Sequence, residues 1–400
     1  MNPSVLEKLW SVEKEAEIWW DSSPLVFETW KKSMIDQAEN KEEMTAWIDR
    51  MFHPDNAPED NLFRGVTTNP PLSYAAVQDN PEYWQKWIAD YAAEHGSQET
   101  EVMFWQVYKE IVKRGAETYL PMFEKTGGKF GYISGQADPR SKFDTEAMVN
   151  QGVELAAIAP NVMIKIPGTA EGYETIRILS SKGISTNNTL SMINPQFKAC
   201  MDAVAAGVKE AKENGVDLST FRSVITAMSA RYGSLGDLAK EAEELGIELS
   251  ETDTRWAEIA VFKKACRMVD KHPDYEGKML LCSMRLSPVI DGKVHSWHIE
   301  KSAGENIVYT CPPPYIGDLL TKTPYLEFSD SREEQVPRDV LDKLLRIPYF
   351  AKAYAEDGYT AAEFNTHPAI LETARQFAGV TEKMVNFVSE ALVSCESLKK

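Results

Sequence analysis

The stretch "NVMIKIPGTAEG", residues 161–172, places a lysine inside what reads as a buried strand. Lys165 stands between Ile164 and Ile166, and a glycine ends the apolar run. Removing an unpaired ammonium from water is costly, so a lysine in such a place tends to lose its proton. Two explanations are open at this point. The side chain either reaches water from the end of the strand, or it is held inside as a neutral amine.

Seven other short runs resemble this one and recur along the chain. The eight runs span residues 16–23, 63–69, 131–138, 161–168, 183–190, 221–228, 277–285 and 306–313. Most are separated by amphipathic stretches such as 237–246 and 254–269, whose apolar residues recur at helical spacing. Alternating strands and helices predict parallel strands with right-handed crossovers, and eight such units most simply close into a (β/α)8 TIM barrel. A doubly wound open sheet is the alternative, although no GxGxxG turn follows an early strand.

The end of the chain has a different pattern from the rest. No clear strand follows Pro314, and residues 367–392 carry an apolar stripe at helical spacing. We therefore expect a barrel with an N-terminal helix over residues 1–330 and additional C-terminal helices, packed on the barrel, over residues 331–400.

A possible insertion follows the seventh strand. Residues 287–304 contain an Asp-Gly turn between short alternating runs, which is typical of a β-hairpin. His295 and His298 lie three residues apart within it. Because no third ligand stands nearby in the sequence, we predict no metal site there.

Composition excludes several classes of function. The chain has 400 residues and a formal charge of −18, so nucleic acid and anionic membranes are not expected partners. Acidic residues interrupt the first apolar positions, and no long apolar run follows, so we expect neither a signal peptide nor a membrane span. The cysteines are odd in number and far apart, which fits reduced thiols in a cytoplasmic protein. They are Cys200, Cys266, Cys282, Cys311 and Cys395.

Polar residues recur where the predicted strands end. They are Asp21, Thr67, Asn69, Gln136, Lys165, Asn187, Thr189, Thr226 and Arg285. A single polar strand end is unremarkable, since loops begin there. In a barrel, however, the carboxyl ends of all strands meet at one face, where catalytic side chains converge. The recurrence therefore predicts a site at that face.

A lysine with a depressed pKa at that face suggests a specific chemistry. A neutral amine attacks a ketone to form a Schiff base, which stabilises electrons released when the adjacent carbon–carbon bond breaks. The reaction needs a carboxylate to move a proton, groups that handle water, and donors for substrate hydroxyls. Asp21 is the candidate carboxylate. Arg231 and Arg285 offer fork-shaped donors for a phosphate.

Three signature stretches resemble those of the transaldolases, in the same order and with similar spacing. They are "GVTTNPPL" (65–72), "IKIPGTAEG" (164–172) and "GISTNNTL" (183–190). The resemblance continues through "SARYGSLGD" (229–237), "KMLLCSMR" (278–285) and "FAGVTEKM" (377–384), so it covers most of the chain. It implies a (β/α)8 barrel without metal or organic cofactor, acting on phosphorylated sugars. A homodimer is left open.

The resemblance also implies roles for individual residues. Lys165 matches the Schiff-base lysine, Asp21 the acid/base of bond cleavage, and Thr189 the residue that holds the catalytic water. The residues implied to hold substrate are, for the hydroxyls, Thr67, Asn69, Asn187 and Thr226 and, for the phosphate, Arg231 and Arg285.

One departure from the family pattern affects the water step. Transaldolases carry a glutamate on the third strand, whereas this chain has Gln136, which cannot exchange a proton in that role. The related fructose-6-phosphate aldolases also carry glutamine, paired with a tyrosine on the sixth strand, where this chain has Met228. The "WWDSS" context of Asp21 also differs from the family's smaller neighbours.

Three functional hypotheses follow from the sequence. The first is transfer of a dihydroxyacetone unit from a ketose phosphate to an aldehyde through a lysine Schiff base. The second is an aldolase, a lyase that releases or uses free dihydroxyacetone. The third is a barrel that binds sugar phosphates without turnover.

Overall fold

A computed structural model describes residues 2–96 and 98–397, with the backbone alone for residues 395–397. The side chain of Cys395 therefore lies outside the described part. The other four cysteines are free and buried. Within the described residues, no helix is both long enough and apolar enough to cross a membrane.

Eight parallel strands form a closed barrel, which confirms the predicted (β/α)8 fold and excludes the open sheet. The barrel strands are β1 (Glu17–Trp20), β2 (Phe63–Val66), β3 (Tyr132–Gln136), β4 (Val162–Pro167), β5 (Thr186–Thr189), β6 (Ser223–Met228), β7 (Lys278–Cys282) and β10 (Val308–Cys311). Each lies within one of the runs recognised in the sequence. Two short strands, β8 (Val289–Ile290) and β9 (Lys293–Val294), pair outside the barrel.

Helices surround the barrel and continue beyond its last strand. Up to that strand they are α1 (Val5–Val12), α2 (Phe27–Gln37), α3 (Lys41–Met51), α4 (Pro70–Asp79), α5 (Pro81–His95), α6 (Thr100–Lys125), α7 (Thr145–Ala156), α8 (Ala170–Ser181), α9 (Asn194–Glu213), α10 (Ser229–Leu235), α11 (Leu238–Glu244), α12 (Glu251–Lys271) and α13 (Trp297–Glu300). After it come α14 (Pro313–Lys322), α15 (Arg338–Leu344), α16 (Pro348–Tyr354), α17 (Ala361–Phe364) and α18 (Pro368–Ser397).

The two tryptophans of β1 pack on opposite faces of the sheet. Trp20 points toward the helices and packs against Trp30 and Phe63. Trp19 lies against Gly65 of β2, where an added Cβ would come within 2.6 Å of the indole. Gly65 is therefore required for the large Trp19 ring to fill the space beside β2.

A buried ion cluster closes the amino-terminal end of the barrel. Glu17 is 2% exposed and accepts hydrogen bonds from Arg222 at 2.5 Å, Lys278 at 2.9 Å and the Trp19 indole at 3.0 Å. These cations outweigh the effect of burial and lower the pKa of Glu17. Breaking such a buried pair costs about 3–5 kcal/mol. This end of the barrel therefore contributes stability rather than chemistry.

The segment after β7 contains the hairpin β8–β9 followed by the short helix α13. Ser287 also bridges to Ser296, which brings the two ends of the hairpin together. The following residues, 297–300, turn back toward the barrel, and His298 and Ile299 are buried.

Helix α18 packs against α4, α5, α6 and α10. Two of these helices, α4 and α10, directly follow the barrel strands β2 and β6. The apolar stripe recognised in the sequence is buried, including Ile370, Phe377, Met384 and Val388. The C-terminal helix therefore lies beside the mouth of the barrel and contributes to its wall.

Candidate active site

A cleft of about 580 Å³ opens at the carboxyl ends of the strands. The predicted site residues that line it are Asp21, Asn69, Lys165, Arg231 and Arg285. A larger cavity of about 1080 Å³ lies beside α1, α3 and the end of α14. There Glu7 and Lys8 are already paired, with Arg50 and Glu327 respectively. The cleft at the strand ends is therefore the candidate active site.

Lys165 lies inside the barrel mouth on β4. The residue is 5% exposed, and its Nζ donates a hydrogen bond to the main-chain oxygen of Thr68 at 3.3 Å. Burial lowers the pKa of Lys165, Asp21 opposes the shift, and Arg231 adds to it. With so little exposure, the amine does not extend into bulk water. It faces the cleft with an increased neutral fraction.

Asp21 follows β1, and its carboxylate interacts electrostatically with Lys165. Its Oδ1 accepts a hydrogen bond of 2.6 Å from the Thr67 hydroxyl, and that hydroxyl also contacts the hydroxyl of Thr310. Burial raises the pKa of Asp21, while the charge of Lys165 and the Thr67 bond act in the opposite direction. Thr67 thus orients the carboxylate and lies behind it, rather than lining the cleft.

Asn187 and Thr226 lie inside the barrel and bond to each other. The Thr226 hydroxyl donates to Asn187 Oδ1 at 2.7 Å, and Asn187 Nδ2 donates to the Ser134 hydroxyl at 3.0 Å. Asn187 is also the register partner of Lys165. The network fixes the orientation of the amide, while the Thr226 oxygen keeps lone pairs that can accept a further bond.

Gln136 and Thr189 flank the lysine strand on its two sides. Gln136 is the register partner of Lys165 on β3, and Thr189 on β5 is the partner of Pro167. The Tyr108 hydroxyl holds the main-chain N–H and C=O of Gln136, but the buried side-chain amide has no partner in the described structure. A buried amide needs hydrogen bonds, so this one is suited to bind water or a substrate hydroxyl.

The sixth strand carries the thioether of Met228 at the position where the fructose-6-phosphate aldolases carry a tyrosine hydroxyl. The Thr189 hydroxyl lies 4.0 Å from Met228 Sδ, a weak acceptor. Met228 also lines the cleft. Neither Thr189 nor Met228 carries an ionisable group. This agrees with the sequence, where Met228 stands in place of the sixth-strand tyrosine of the fructose-6-phosphate aldolases.

The two arginines approach the cleft from neighbouring elements. Arg231, in α10, donates to Gln376 of α18 at 2.7 Å, and its guanidinium lies 5.4 Å from the centre of the Phe377 ring. Arg285 follows β7 and donates to the main-chain oxygen of Ala230 at 2.7 Å. The structure therefore brings both predicted phosphate ligands to one wall.

Asn69 caps the helix that follows β2. Its Oδ1 accepts a hydrogen bond from the main-chain N–H of Leu72 at 2.9 Å. An asparagine at this position satisfies an otherwise free helix N–H and leaves its NH2 group as a donor. Asn69 and Leu72 both line the cleft.

Sequence reasoning missed several residues of the cleft. Cys282 ends β7 and Thr310 lies one residue before the end of β10, so a search of every strand end for polar residues could have found them. Burial raises the pKa of the Cys282 thiol to about 11, so it remains protonated at neutral pH. Gln376 and Phe377 come from α18, and the apolar stripe of that helix does not by itself place them at the cleft.

The protein is a closed parallel barrel with a buried lysine and an aspartate in a cleft at the carboxyl ends of its strands. Residues 34–363 match the family described as Transaldolase/Fructose-6-phosphate aldolase, and the chain belongs to that family. The predicted family is confirmed. Within the described residues, no group of three histidine, cysteine or acidic side chains is placed to hold a metal ion.

Three curated relatives are about one-third identical to this chain over the aligned half of their length. Transaldolase 2 of Streptomyces avermitilis is 34% identical over 184 residues, which is 46% of this chain and 48% of the relative. Transaldolase 2 of Streptomyces coelicolor is 32% identical over 198 residues, 49% and 52% respectively. The transaldolase of Thermobifida fusca is 35% identical over 189 residues, 46% and 50% respectively. The chain thus spans about half the length of the curated relatives it matches.

Proposed function

We propose that this protein transfers a dihydroxyacetone unit from a ketose phosphate to an aldehyde through a Schiff base on Lys165. The observation that carries the proposal is the buried lysine, facing the same cleft as Asp21 and the two arginines. Each of these groups suits one part of the reaction. The family and the names of the relatives support the same chemistry.

The proposed cycle begins when the neutral amine of Lys165 attacks the ketone carbon. Loss of one water gives a protonated Schiff base. The Asp21 carboxylate then takes the proton of the hydroxyl on the second carbon from the Schiff-base carbon. The bond that joins this hydroxyl-bearing carbon to the neighbour of the Schiff-base carbon breaks. Its electron pair moves toward the Schiff-base nitrogen and leaves an enamine, while the aldehyde departs. Reaction of the enamine with an acceptor aldehyde and hydrolysis reverse these steps.

The other predicted residues are proposed to bind rather than to react. Arg231 and Arg285 provide charged N–H donors for the phosphate at the rim of the cleft. Asn69 and the linked pair of Asn187 and Thr226 offer polar groups for hydroxyls of the dihydroxyacetone unit. Buried, unpaired thiols support a reducing compartment, and we keep the cytoplasm as the proposed location. A homodimer stays a prediction.

Borohydride trapping tests the Schiff base directly. With fructose 6-phosphate present, reduction is expected to attach the donor carbons covalently to Lys165, as seen by peptide mass spectrometry. Lys263→Met is a matched control, because Lys263 is also buried but donates to the main-chain oxygens of Lys301 and Ser331 away from the cleft. This variant is expected to trap normally. An adduct on another residue contradicts the proposal. Sugar-phosphate binding without any adduct favours a barrel that binds sugar phosphates without turnover.

An aldolase is the second candidate, and Gln136 is the observation that favours it. The glutamine cannot supply or accept the proton that the family glutamate exchanges with water. Free dihydroxyacetone is the expected product or substrate of this second candidate. Measuring free against transferred dihydroxyacetone, with several acceptor aldehydes, separates the two candidates.

Restoring the family residue by Gln136→Glu is expected to change kcat by about tenfold or more, because it places an ionisable group beside Lys165. The direction depends on which hydrolytic step limits turnover. Gln151→Glu is the matched control, since the Gln151 side chain accepts from the Asp138 main chain outside the cleft. A rate within about twofold of wild type for Gln136→Glu contradicts the assignment of Gln136 to the water step.

A further inference from the structure

We propose that Glu258 and His298 are positioning residues that hold Arg285 in place for the phosphate group of the substrate. The proposal rests on the proposed function, since it assigns Arg285 to a phosphate. It assigns a role to the segment after β7, residues 287–304, which contains His298. Neither Glu258 nor His298 lines the cleft. They act through the main chain of Arg285.

His298 links a buried carboxylate to the main chain of Arg285. Its Nε2 lies 2.8 Å from Glu258 Oε2, and its Nδ1 accepts from the Arg285 N–H at 3.4 Å. A neutral imidazole has one N–H, and the carboxylate requires it on Nε2, which leaves Nδ1 as the acceptor. Both side chains are 1% exposed. The carboxylate therefore fixes the tautomer that Arg285 needs.

Ser296 holds the other main-chain polar group of Arg285, its C=O. Its hydroxyl lies 3.1 Å from the Arg285 main-chain oxygen and 2.6 Å from the Tyr315 hydroxyl. The inserted segment thus supplies a partner for both the N–H and the C=O of Arg285. Two side-chain anchors on one residue restrict its main chain more than either bond alone.

Glu258 also contacts the helix that carries Arg231. Its Oε2 pairs with Arg255 at 2.6 Å, and a Cβ added at Gly233 would lie 2.1 Å from its Oε1. Gly233 and Arg231 both belong to α10. The absence of a side chain at Gly233 lets the carboxylate approach this helix closely.

The side chain of Arg285 completes the connection to α10. Its Nη2 donates to the Ala230 oxygen at 2.7 Å and to the Ser234 hydroxyl at 3.3 Å. Arg285 is therefore held to α10 by its own side chain and to the buried Glu258 carboxylate through His298, while Glu258 Oε1 packs against Gly233 of α10 without a hydrogen bond. Such bracing reduces the freedom that is lost when a phosphate binds.

A buried pair with a purely structural role makes a different prediction from a positioning pair. Removing one partner of a structural pair destabilises the fold, and such a loss of stability affects all substrates alike. Loss of positioning at Arg285 instead affects only ligands that carry a phosphate. Phosphate dependence therefore distinguishes the two roles.

The test is the affinity of the His298→Leu variant for inorganic phosphate, measured by calorimetry on the full chain. We expect the Kd to rise about tenfold, in line with the loss of one hydrogen bond to a binding residue. The KM for fructose 6-phosphate is expected to rise similarly, with kcat nearly unchanged. Reaction with unphosphorylated fructose is expected to stay at the wild-type kcat/KM.

A matched control lies in the same segment. His295 also pairs with a glutamate, Glu300 at 3.0 Å, but does not touch Arg285. His295→Leu is therefore expected to leave the phosphate Kd unchanged. In an Arg285→Ala background, His298→Leu is expected to add no further loss, since the group it positions is already gone.

Two gentler variants apply if His298→Leu does not fold. His298→Asn retains an acceptor near the Nδ1 position and is expected to restore phosphate affinity to within about threefold of wild type. Ser296→Ala is expected to weaken phosphate binding without changing the reaction of unphosphorylated fructose. Equal effects on phosphorylated and unphosphorylated ligands, or a wild-type phosphate Kd in a folded His298→Leu variant, overturn the proposal. Phosphate binding needs no turnover, so failure of trapping at Lys165 is a separate result.

Discussion

Replacing Lys165 by methionine is expected to lower kcat/KM for dihydroxyacetone transfer by at least about 10⁴-fold, because no Schiff base can form. Methionine has a similar length and no charge, so it fits the apolar surroundings of the β4 side chain. The binding of inorganic phosphate is expected to persist, since Arg231 and Arg285 remain. The measurements are steady-state transfer kinetics and phosphate calorimetry on the same protein preparation.

Lys263→Met separates loss of chemistry from loss of a buried cation. It removes an amine that is 9% exposed and bonded to two main-chain oxygens, so reduced thermal stability is expected with transfer kinetics close to wild type. If Lys165→Met retained more than about a hundredth of the wild-type kcat/KM, the lysine would not be the nucleophile. Another amine, or another mechanism, would then be required.

The barrel was predictable because its information is local. Each strand lies in a short run recognised in the sequence, and most are followed by a helix whose periodicity is visible without knowledge of the rest of the chain. The position of Lys165 was predictable for the same reason. A charge near the end of a buried strand in a closed barrel has one face to which it can point.

The outer wall of the cleft was not predictable from such local patterns. Gln376 reaches Arg231 across 145 positions of sequence, and the helical pattern around Gln376 does not mark it as a contact of the site. The apolar stripe of α18 predicts that the helix packs on the barrel but does not specify which end. Docking of that helix depends on the fit between several surfaces, none of which is encoded in a short motif.

The bracing of Arg285 shows the same limit in a smaller element. The spacing of His295 and His298 raised the question of a metal, but the partner of His298 is Glu258, 40 positions earlier in α12. Gly233 provides the space for that carboxylate, and a glycine in a short helix carries no such indication in the sequence. Only the folded arrangement reveals that these residues form one unit.

Replacing Asp21 by asparagine is expected to lower kcat by about 10²–10⁴-fold while leaving Schiff-base formation intact. Asparagine has nearly the same shape and still accepts the Thr67 hydrogen bond, but it cannot take the proton of the hydroxyl during bond cleavage. Borohydride with fructose 6-phosphate is therefore expected to trap the whole donor on Lys165, because cleavage no longer follows attachment. The measurement is the mass of the adduct together with the transfer rate.

The pH dependence of trapping provides a second, independent test of the pairing of Asp21 with Lys165. The negative charge of Asp21 favours the ammonium form of Lys165, so its removal is expected to lower the pKa of Lys165 further. The acid limb of the trapping rate should then move to lower pH in Asp21→Asn, since the neutral amine persists to more acidic conditions. Glu17→Gln is the matched control: it removes a buried carboxylate at the opposite end of the barrel, so it should reduce stability but leave both the adduct and its pH limb as in wild type. An upward shift of the limb in Asp21→Asn, or a wild-type rate of bond cleavage, contradicts the pairing of Asp21 with Lys165.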